Sequence, residues 1–315
     1  MLTQKIRNNA LLWISLLALP AAAADYQFVN GAGDVPIAVA EWGNSDAPDV
    51  LLLHGAGFAK EYWMAQRTAT ADDCAHYVAL DLRGHGASGK PWREDQILDS
   101  ELWAADVHAV ISNLDMHNVL IVGWSYGGYV AMDYLRHRNS NNIAGVLLVG
   151  SAAGLVERTQ FSGDMPAGFA EAATQRRSLN LDENRMGSRY IGALMSSYEL
   201  SEQVASSWAN QMASSPVYFR NIMSQRALDN TDLIESLTVP LTFLLGERDL
   251  SVAANSLEQL IRTRLTRAGV RIAAGAGHAV SHDSGRDFYE ALGDMLEETR
   301  SSDPNADAGR CVDSL

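Results

Sequence analysis

Short, continuous apolar runs alternate with segments of helical spacing along most of this chain, and this alternation constrains the fold more than any other feature. Val50–Leu53, Tyr77–Leu82, Val119–Gly123, Val146–Gly150, Leu241–Leu245 and Val270–Ala273 are such runs, each bounded by turn residues. A strand without polar alternation is buried on both faces, which is what helices packed on either side of a parallel sheet provide. Amphipathic segments fall at Trp103–Leu114 and Gly128–Arg138, and a last one covers Arg286–Glu298. Ahead of them, Tyr26–Asn30 and Ile37–Trp42 read as a strand pair about a Gly/Asp turn. The expectation is an α/β fold, with a mostly parallel central sheet and helices on both faces.

One interval breaks the rhythm. Residues 154–237 have helical periodicity and no clear strand, and they hold five of the ten methionines: Met165, Met186, Met195, Met212 and Met223. Phe161, Phe169, Tyr190, Tyr198, Trp208, Tyr218 and Phe219 lie in the same interval. An all-helical insertion between two sheet strands is what a lid over the carboxyl edge of the sheet looks like. Adaptable methionines suit a forgiving apolar pocket. Most of these side chains are expected to form the insertion's own small core, and the rest to face the cleft. The sheet scaffold then comprises residues 25–153 and 238–300, and 301–315 form a polar tail. There are no internal repeats and no interdomain linker. With 315 residues, 47% of them hydrophobic, the core needs no disulfide framework or structural metal. A net charge of −14 argues against nucleic acid and anionic membrane surfaces as partners. The sequence carries no signal for an oligomeric state.

Residues 1–24 read as an export signal. Lys5 and Arg7 give a positive start, and Ala10–Leu19 is an apolar run too short to span a bilayer core of about 30 Å. Pro20 breaks the run, and Ala21–Ala24 supply small residues for cleavage, expected after Ala24. The mature protein is then periplasmic or extracellular and more acidic than the full chain, and no later stretch is long enough for stable membrane insertion. Two cysteines are too few for a cysteine-rich metal site, but an oxidising compartment permits them to pair. The expectation is a Cys74–Cys311 disulfide that staples the tail to the body; the alternative is two unrelated thiols.

The chemistry concentrates around Gly123-Trp124-Ser125-Tyr126-Gly127-Gly128. The spacing G-x-S-x-G is weak in isolation, but here it sits directly between a strand and a helix. A serine on so tight a turn is forced into a strained conformation that exposes its hydroxyl, and glycines two before and two after avoid Cβ clashes. A serine hydroxyl needs a base. His278, in the loop after the last predicted strand, is the candidate, with His282 its near rival. His278-x-x-x-His282 resembles metal spacing, but no third ligand accompanies it, so no metal is expected. The base needs an acid to fix its tautomer. Asp249, just past the Leu241–Leu245 strand, is the candidate, and Glu247 the alternative. The oxyanion needs two backbone donors. Tyr126, as the residue after the nucleophile, supplies one. Ala56, in His54-Gly55-Ala56-Gly57, is assigned the other, with His54 supporting that loop.

These motifs together resemble the α/β-hydrolase superfamily, in the branch of serine esterases, cofactor-free haloperoxidases and carbon–carbon bond hydrolases. His54-Gly55, the Asp81-x-Arg83-Gly84-His85-Gly86-x-Ser88 turn, Ser125 in its elbow, Asp249 after Gly246, and Gly277-His278 match in order over about residues 26–298. The resemblance implies a cofactor-free serine hydrolase acting on a small carboxylic ester or lactone through an acyl-enzyme. Carbon–carbon bond hydrolysis and perhydrolysis are the alternatives within enzymes. A ligand-binding protein on a hydrolase scaffold is the alternative outside them. The Asp81–Ser88 turn is carried over as structural support.

Overall fold

The computed structural model describes residues 24–67, 74–155 and 165–301. Within them, eight strands form one sheet: β1 (Asp25–Asn30), β2 (Pro36–Gly43), β3 (Asp49–Leu53), β4 (His76–Leu80), β5 (Val119–Trp124), β6 (Ile143–Val149), β7 (Leu241–Gly246) and β8 (Gly269–Ala273). Their spatial order is β1-β2-β4-β3-β5-β6-β7-β8. β2 runs antiparallel to both β1 and β4, and every other pairing is parallel. The helices are α1 (Glu61–Met64), α2 (Asp95–Leu98), α3 (Ser100–Asn113), α4 (Tyr126–His137), α5 (Phe169–Gln175), α6 (Leu181–Ala193), α7 (Glu202–Ser214), α8 (Val217–Met223), α9 (Thr231–Ser236), α10 (Ala254–Arg264), α11 (Val280–Asp283) and α12 (Gly285–Ser301).

The two-residue period of each strand divides the core into two layers. Leu51, Leu53, Ile121, Val146, Leu148, Phe243 and Leu245 pack on one face with Trp103 and Val107 of α3 and Val130 of α4. Their neighbours Val50, Leu52, Leu120, Val122, Leu147, Val149 and Leu244 pack on the other with Phe288, Leu292 and Met295 of α12. This double burial is why the strands carry no polar alternation. The strand order reverses at β3, with β4 on one side and β5 on the other. The loops leaving β3 and β5 therefore diverge and leave a crevice at the carboxyl edge.

Elements differ from the sequence reading mainly at their ends. The β4 run stops at Leu80, and Asp81 and Leu82 begin a turn. The helix after β5 starts at Tyr126 rather than Gly128, because Ser125 makes the whole reversal by itself. The helix before β5 starts at Ser100, where the Asp99 side chain accepts the Glu101 amide as an N-cap. Helix α10, between β7 and β8, was not anticipated, although Leu257, Ile261 and Leu265 carry a visible helical stripe.

The described part of the 154–237 interval, residues 165–237, is helical, with α5 to α9. Its helices pack chiefly on one another, α5 on α6 and α6 on α7, and their buried side chains also reach the layers of the scaffold. Ala172, Ile191, Trp208 and Met212 join the layer that contains Trp124 and Val149, and Phe219 and Met223 join the layer that contains Trp103 and Tyr126. The apolar stripes of α6 and α7 meet each other, and Trp208 of α7 also meets Phe58 and Tyr62 of the scaffold. Met186, Tyr198 and Tyr218 are exposed. Phe161 falls outside the described residues, as do the expected export signal up to residue 23, the tail from residue 302 and Cys311. Cys74 is buried just ahead of β4. No described helix is long and apolar enough to cross a membrane.

The Asp81–Ser88 turn is held by buried charge. Arg83 is fully buried and donates to both Asp106 carboxylate oxygens at 2.6 and 2.8 Å and to the carbonyls of Gln96 and Leu102. Removing one member of such a pair strands the other, so Asp106→Ala should cost about 3–5 kcal/mol, with Asp106→Asn milder; denaturant midpoints measure it. A second ionic contact joins the amino ends of β3 and β4 to the carboxyl end of β2. His76 lies 2.7 Å from Asp49 and 3.4 Å from Glu41, and the Asp49 hydrogen bond raises its pKa. A raised histidine pKa stabilises the fold fully below the unfolded value of about 6.5, and the contribution fades as pH rises through the folded value. Thermal melts of His76→Gln and the wild-type protein should therefore differ more at pH 5.5 than at pH 9.

Candidate active site

Ser125 occupies the junction of β5 and α4 with φ 51° and ψ −114°. Positive φ is costly for a residue with a Cβ, by about 1–3 kcal/mol. Close packing of strand, helix and neighbouring loop enforces it. A Cβ on Gly127 would lie 2.2 Å from the Leu53 carbonyl oxygen, and one on Gly123 would lie 2.7 Å from the Gly128 backbone. Any other residue at either position would push α4 away from β3 and β5. The Ser125 backbone is pinned on both sides: its amide donates to the Val149 carbonyl at 2.9 Å, and its carbonyl accepts from the Ser151 hydroxyl at 2.7 Å.

The structure brings together the three side chains singled out above. His278 Nε2 lies 2.8 Å from Ser125 Oγ, and His278 Nδ1 lies 2.8 Å from Asp249 Oδ2. The other Asp249 oxygen accepts the amides of Ser251 and Val252 at 2.7 and 3.0 Å. Asp249 and His278 are buried, whereas Ser125 keeps partial exposure. The carboxylate holds the proton on Nδ1, leaving the Nε2 lone pair to accept from the serine hydroxyl. The two alternative residues point elsewhere. Glu247 is exposed and accepts the Gly275 amide at 2.8 Å. His282 packs edge-on against Trp208, with ring centroids 4.9 Å apart. Among the described residues, no group of three His, Cys, Asp or Glu side chains could hold a metal ion.

The loop after β3 lies beside the serine. A Cβ on Gly55 would come within 3.2 Å of the Ser125 Cβ. His54 is fully buried, and burial keeps its pKa below the ordinary histidine value. As a neutral ring it uses both nitrogens: Nδ1–H donates to the Gly55 carbonyl at 2.8 Å and Nε2 accepts the Leu82 amide at 3.0 Å. It is a bracket between the two loops. Among the described residues, the Ala56 amide finds no acceptor in the protein. The Tyr126 amide belongs to the first turn of α4, where the helix dipole favours negative charge.

Trp124 is singled out with the elbow in the sequence as a supporting residue; the other residues that shape the site around it are not. Trp124 is buried, stacks on Tyr62 at 3.9 Å, and donates its indole N–H to the His278 carbonyl at 2.9 Å. Asp283 accepts the amides of Gly277 and Ser197 at 2.7 and 2.8 Å, so the insertion helps fix the His278 loop. The Met195 carbonyl accepts the Ala279 amide at 2.6 Å to the same effect. Arg226 reaches back from the insertion to the Tyr126 hydroxyl and to Asp133, 2.6 Å away. Ser151, a polar residue one position past the Gly150 turn at the carboxyl edge of β6, carried the only visible signal. The others depend on contacts between segments far apart in sequence.

The comparisons with known proteins agree with this geometry. The model of the alpha/beta hydrolase family matches residues 50–291. A non-heme haloperoxidase from Rhodococcus erythropolis is 26% identical over 80% of this chain and 93% of its own. A bifunctional esterase/perhydrolase from Acinetobacter calcoaceticus is 26% identical over 70% of this chain and 82% of its own. The crystal structure of an esterase from Rhodococcus sp. ECU1013 superimposes with a TM-score of 0.76 at 25% identity, covering 86% of this chain and 98% of that one. The elbow at Ser125, the sheet order and the family match over residues 50–291 establish that this chain belongs to the alpha/beta hydrolase family.

Proposed function

We propose that the protein is an exported serine hydrolase that cleaves a carboxylic ester or lactone through Ser125, His278 and Asp249. The observation that carries the reading is the hydrogen-bonded line from Ser125 Oγ through His278 to Asp249, with both links at 2.8 Å. Ser125 Oγ attacks the carbonyl carbon while its proton passes to His278 Nε2, and Asp249 steadies the imidazolium. The Ala56 and Tyr126 amides hold the developing oxyanion. Collapse of the tetrahedral intermediate expels the alcohol, which takes the proton back from His278. The same imidazole then activates water to hydrolyse the acyl-enzyme. No group outside the chain is needed for these steps. The helices of the insertion act as a lid, contributing apolar surface beside the cleft. Export rests on the character of residues 1–24, and a Cys74–Cys311 bridge would follow from an oxidising destination.

Perhydrolysis is the second reading, favoured by relatives whose names are haloperoxidase and esterase/perhydrolase. It shares the acyl-enzyme. Hydrogen peroxide replaces water as the attacking nucleophile and leaves as the peracid, which oxidises halide in solution. One set of assays tests both readings. Ser125→Ala should lower kcat/KM for p-nitrophenyl acetate by about 10⁴-fold or more, with unchanged circular dichroism. It should also abolish any bromide oxidation dependent on peroxide and acetate. Retention of hydrolysis in the folded variant would overturn the assignment.

A further inference from the structure

Three buried basic side chains in this protein each have a carboxylate partner: Arg83 has Asp106, Arg226 has Asp133 and Lys60 has Asp81. The half-buried Arg176, at the end of α5, does not. Its Nε is shut off from solvent and makes no hydrogen bond, and among the described residues no acid pairs with its guanidinium. Its main chain is fully engaged. The carbonyl accepts from Asn184 and Arg220, both at 2.7 Å, and the amide donates to the Ala172 carbonyl. Among the described residues, the guanidinium Nε is left without a partner. Burial first, and the nearby charges of Arg220 and Arg177 after it, push the Arg176 pKa down to about 9, so it stays charged at neutral pH. The side chain is half-buried rather than sealed off, so a charge with no acid beside it stays within reach of an anion.

Its position supplies the reason. Arg176 Nη2 lies 2.3 Å from where a Cβ on Gly57 would stand, and Gly57 has φ +81°. Only glycine admits the guanidinium there. Gly57 is two residues, at most about 7 Å, along the chain from Gly55, which borders Ser125. The unpaired fork of donors therefore reaches from the insertion to the same loop that carries the Ala56 amide. A planar guanidinium is matched by a carboxylate, which can take two parallel hydrogen bonds.

We infer that Arg176 is a specificity-determining residue: the ester or lactone cleaved at Ser125 carries a carboxylate, which pairs with the Arg176 guanidinium against the Gly55-Ala56-Gly57 loop. This deepens the hydrolase reading and rests on Ser125 as its nucleophile. It also reconciles an acidic chain with an anionic small substrate. The net charge of −14 repels large polyanions at long range, whereas one half-buried cation beside the Gly57 loop acts at contact distance.

The test compares two esters of matched shape, the mono-p-nitrophenyl ester of glutaric acid and p-nitrophenyl pentanoate. The wild-type enzyme should favour the acid ester in kcat/KM by about tenfold or more. Arg176→Met should erase that ratio, chiefly through KM for the acid ester, and Arg176→Lys should retain part of it. A merely structural role would lower both esters together and leave the ratio intact. Calorimetric titration with glutarate gives a readout without chemistry: binding to wild-type protein and none to Arg176→Met is expected. Hydrolysis of both esters with no preference, or a ratio unmoved in Arg176→Met, would overturn the inference while leaving the hydrolase reading in place. Absence of any ester hydrolysis, with glutarate binding still dependent on Arg176, would instead contradict the hydrolase reading and leave the carboxylate site standing.

Discussion

The reversal of the chain at Ser125 is the constraint on which the rest of the site depends. One residue turns a fully buried strand into a buried helix, and it does so at a positive φ that local preference opposes. Burial on both sides of the turn holds it there. β5 is inaccessible along its whole length, and most of α4 is covered by α3 and the sheet. With β5 and α4 locked, the hydroxyl stands at the carboxyl edge, the first amide of the helix faces the same space, and the β3 loop must pass within van der Waals distance. His278 then needs only to be brought above the serine.

That task falls to contacts from several segments. Trp124 holds the His278 carbonyl from below, Asp249 holds the ring, and Asp283 with the Met195 carbonyl ties the histidine loop to the helical insertion. The insertion is therefore part of the site's framework. Its apolar side chains continue the two layers of the sheet, so movement of its helices would be felt at Trp208, Met212 and Phe219. The close support around the serine and the Arg176 guanidinium held against the β3 loop suit a site in which positioning of a small substrate matters more than surface area.

Much of this was legible in the sequence, for identifiable reasons. Doubly buried strands leave uninterrupted apolar runs, so β3, β5, β6 and β7 could be placed within a few residues. The elbow glycines, the acid after β7 and the histidine after β8 are local in their demands, and each stands where its loop leaves the sheet. What stayed hidden depends on packing between distant segments. Arg176 and Arg226 look alike as sequence, yet one meets Asp133 and the other meets no acid. Asp283 gave no sign that it receives two amides from separate loops. The insertion's methionines could be recognised as apolar, but whether they packed on one another or on the scaffold was decided by helix length and placement. The tail and its cysteine lie outside the described residues.

The central claim is that Ser125 is a nucleophile activated by His278. Intact-mass measurement after brief exposure to a fluorophosphonate tests it most directly, because the probe reacts by serine attack at phosphorus with loss of fluoride and requires no knowledge of the substrate. The account predicts a single stoichiometric adduct on the folded wild-type protein, mapped to the peptide that contains Ser125, and none on Ser125→Ala. No adduct on the folded wild-type protein, or an equal adduct on the alanine variant, would contradict it.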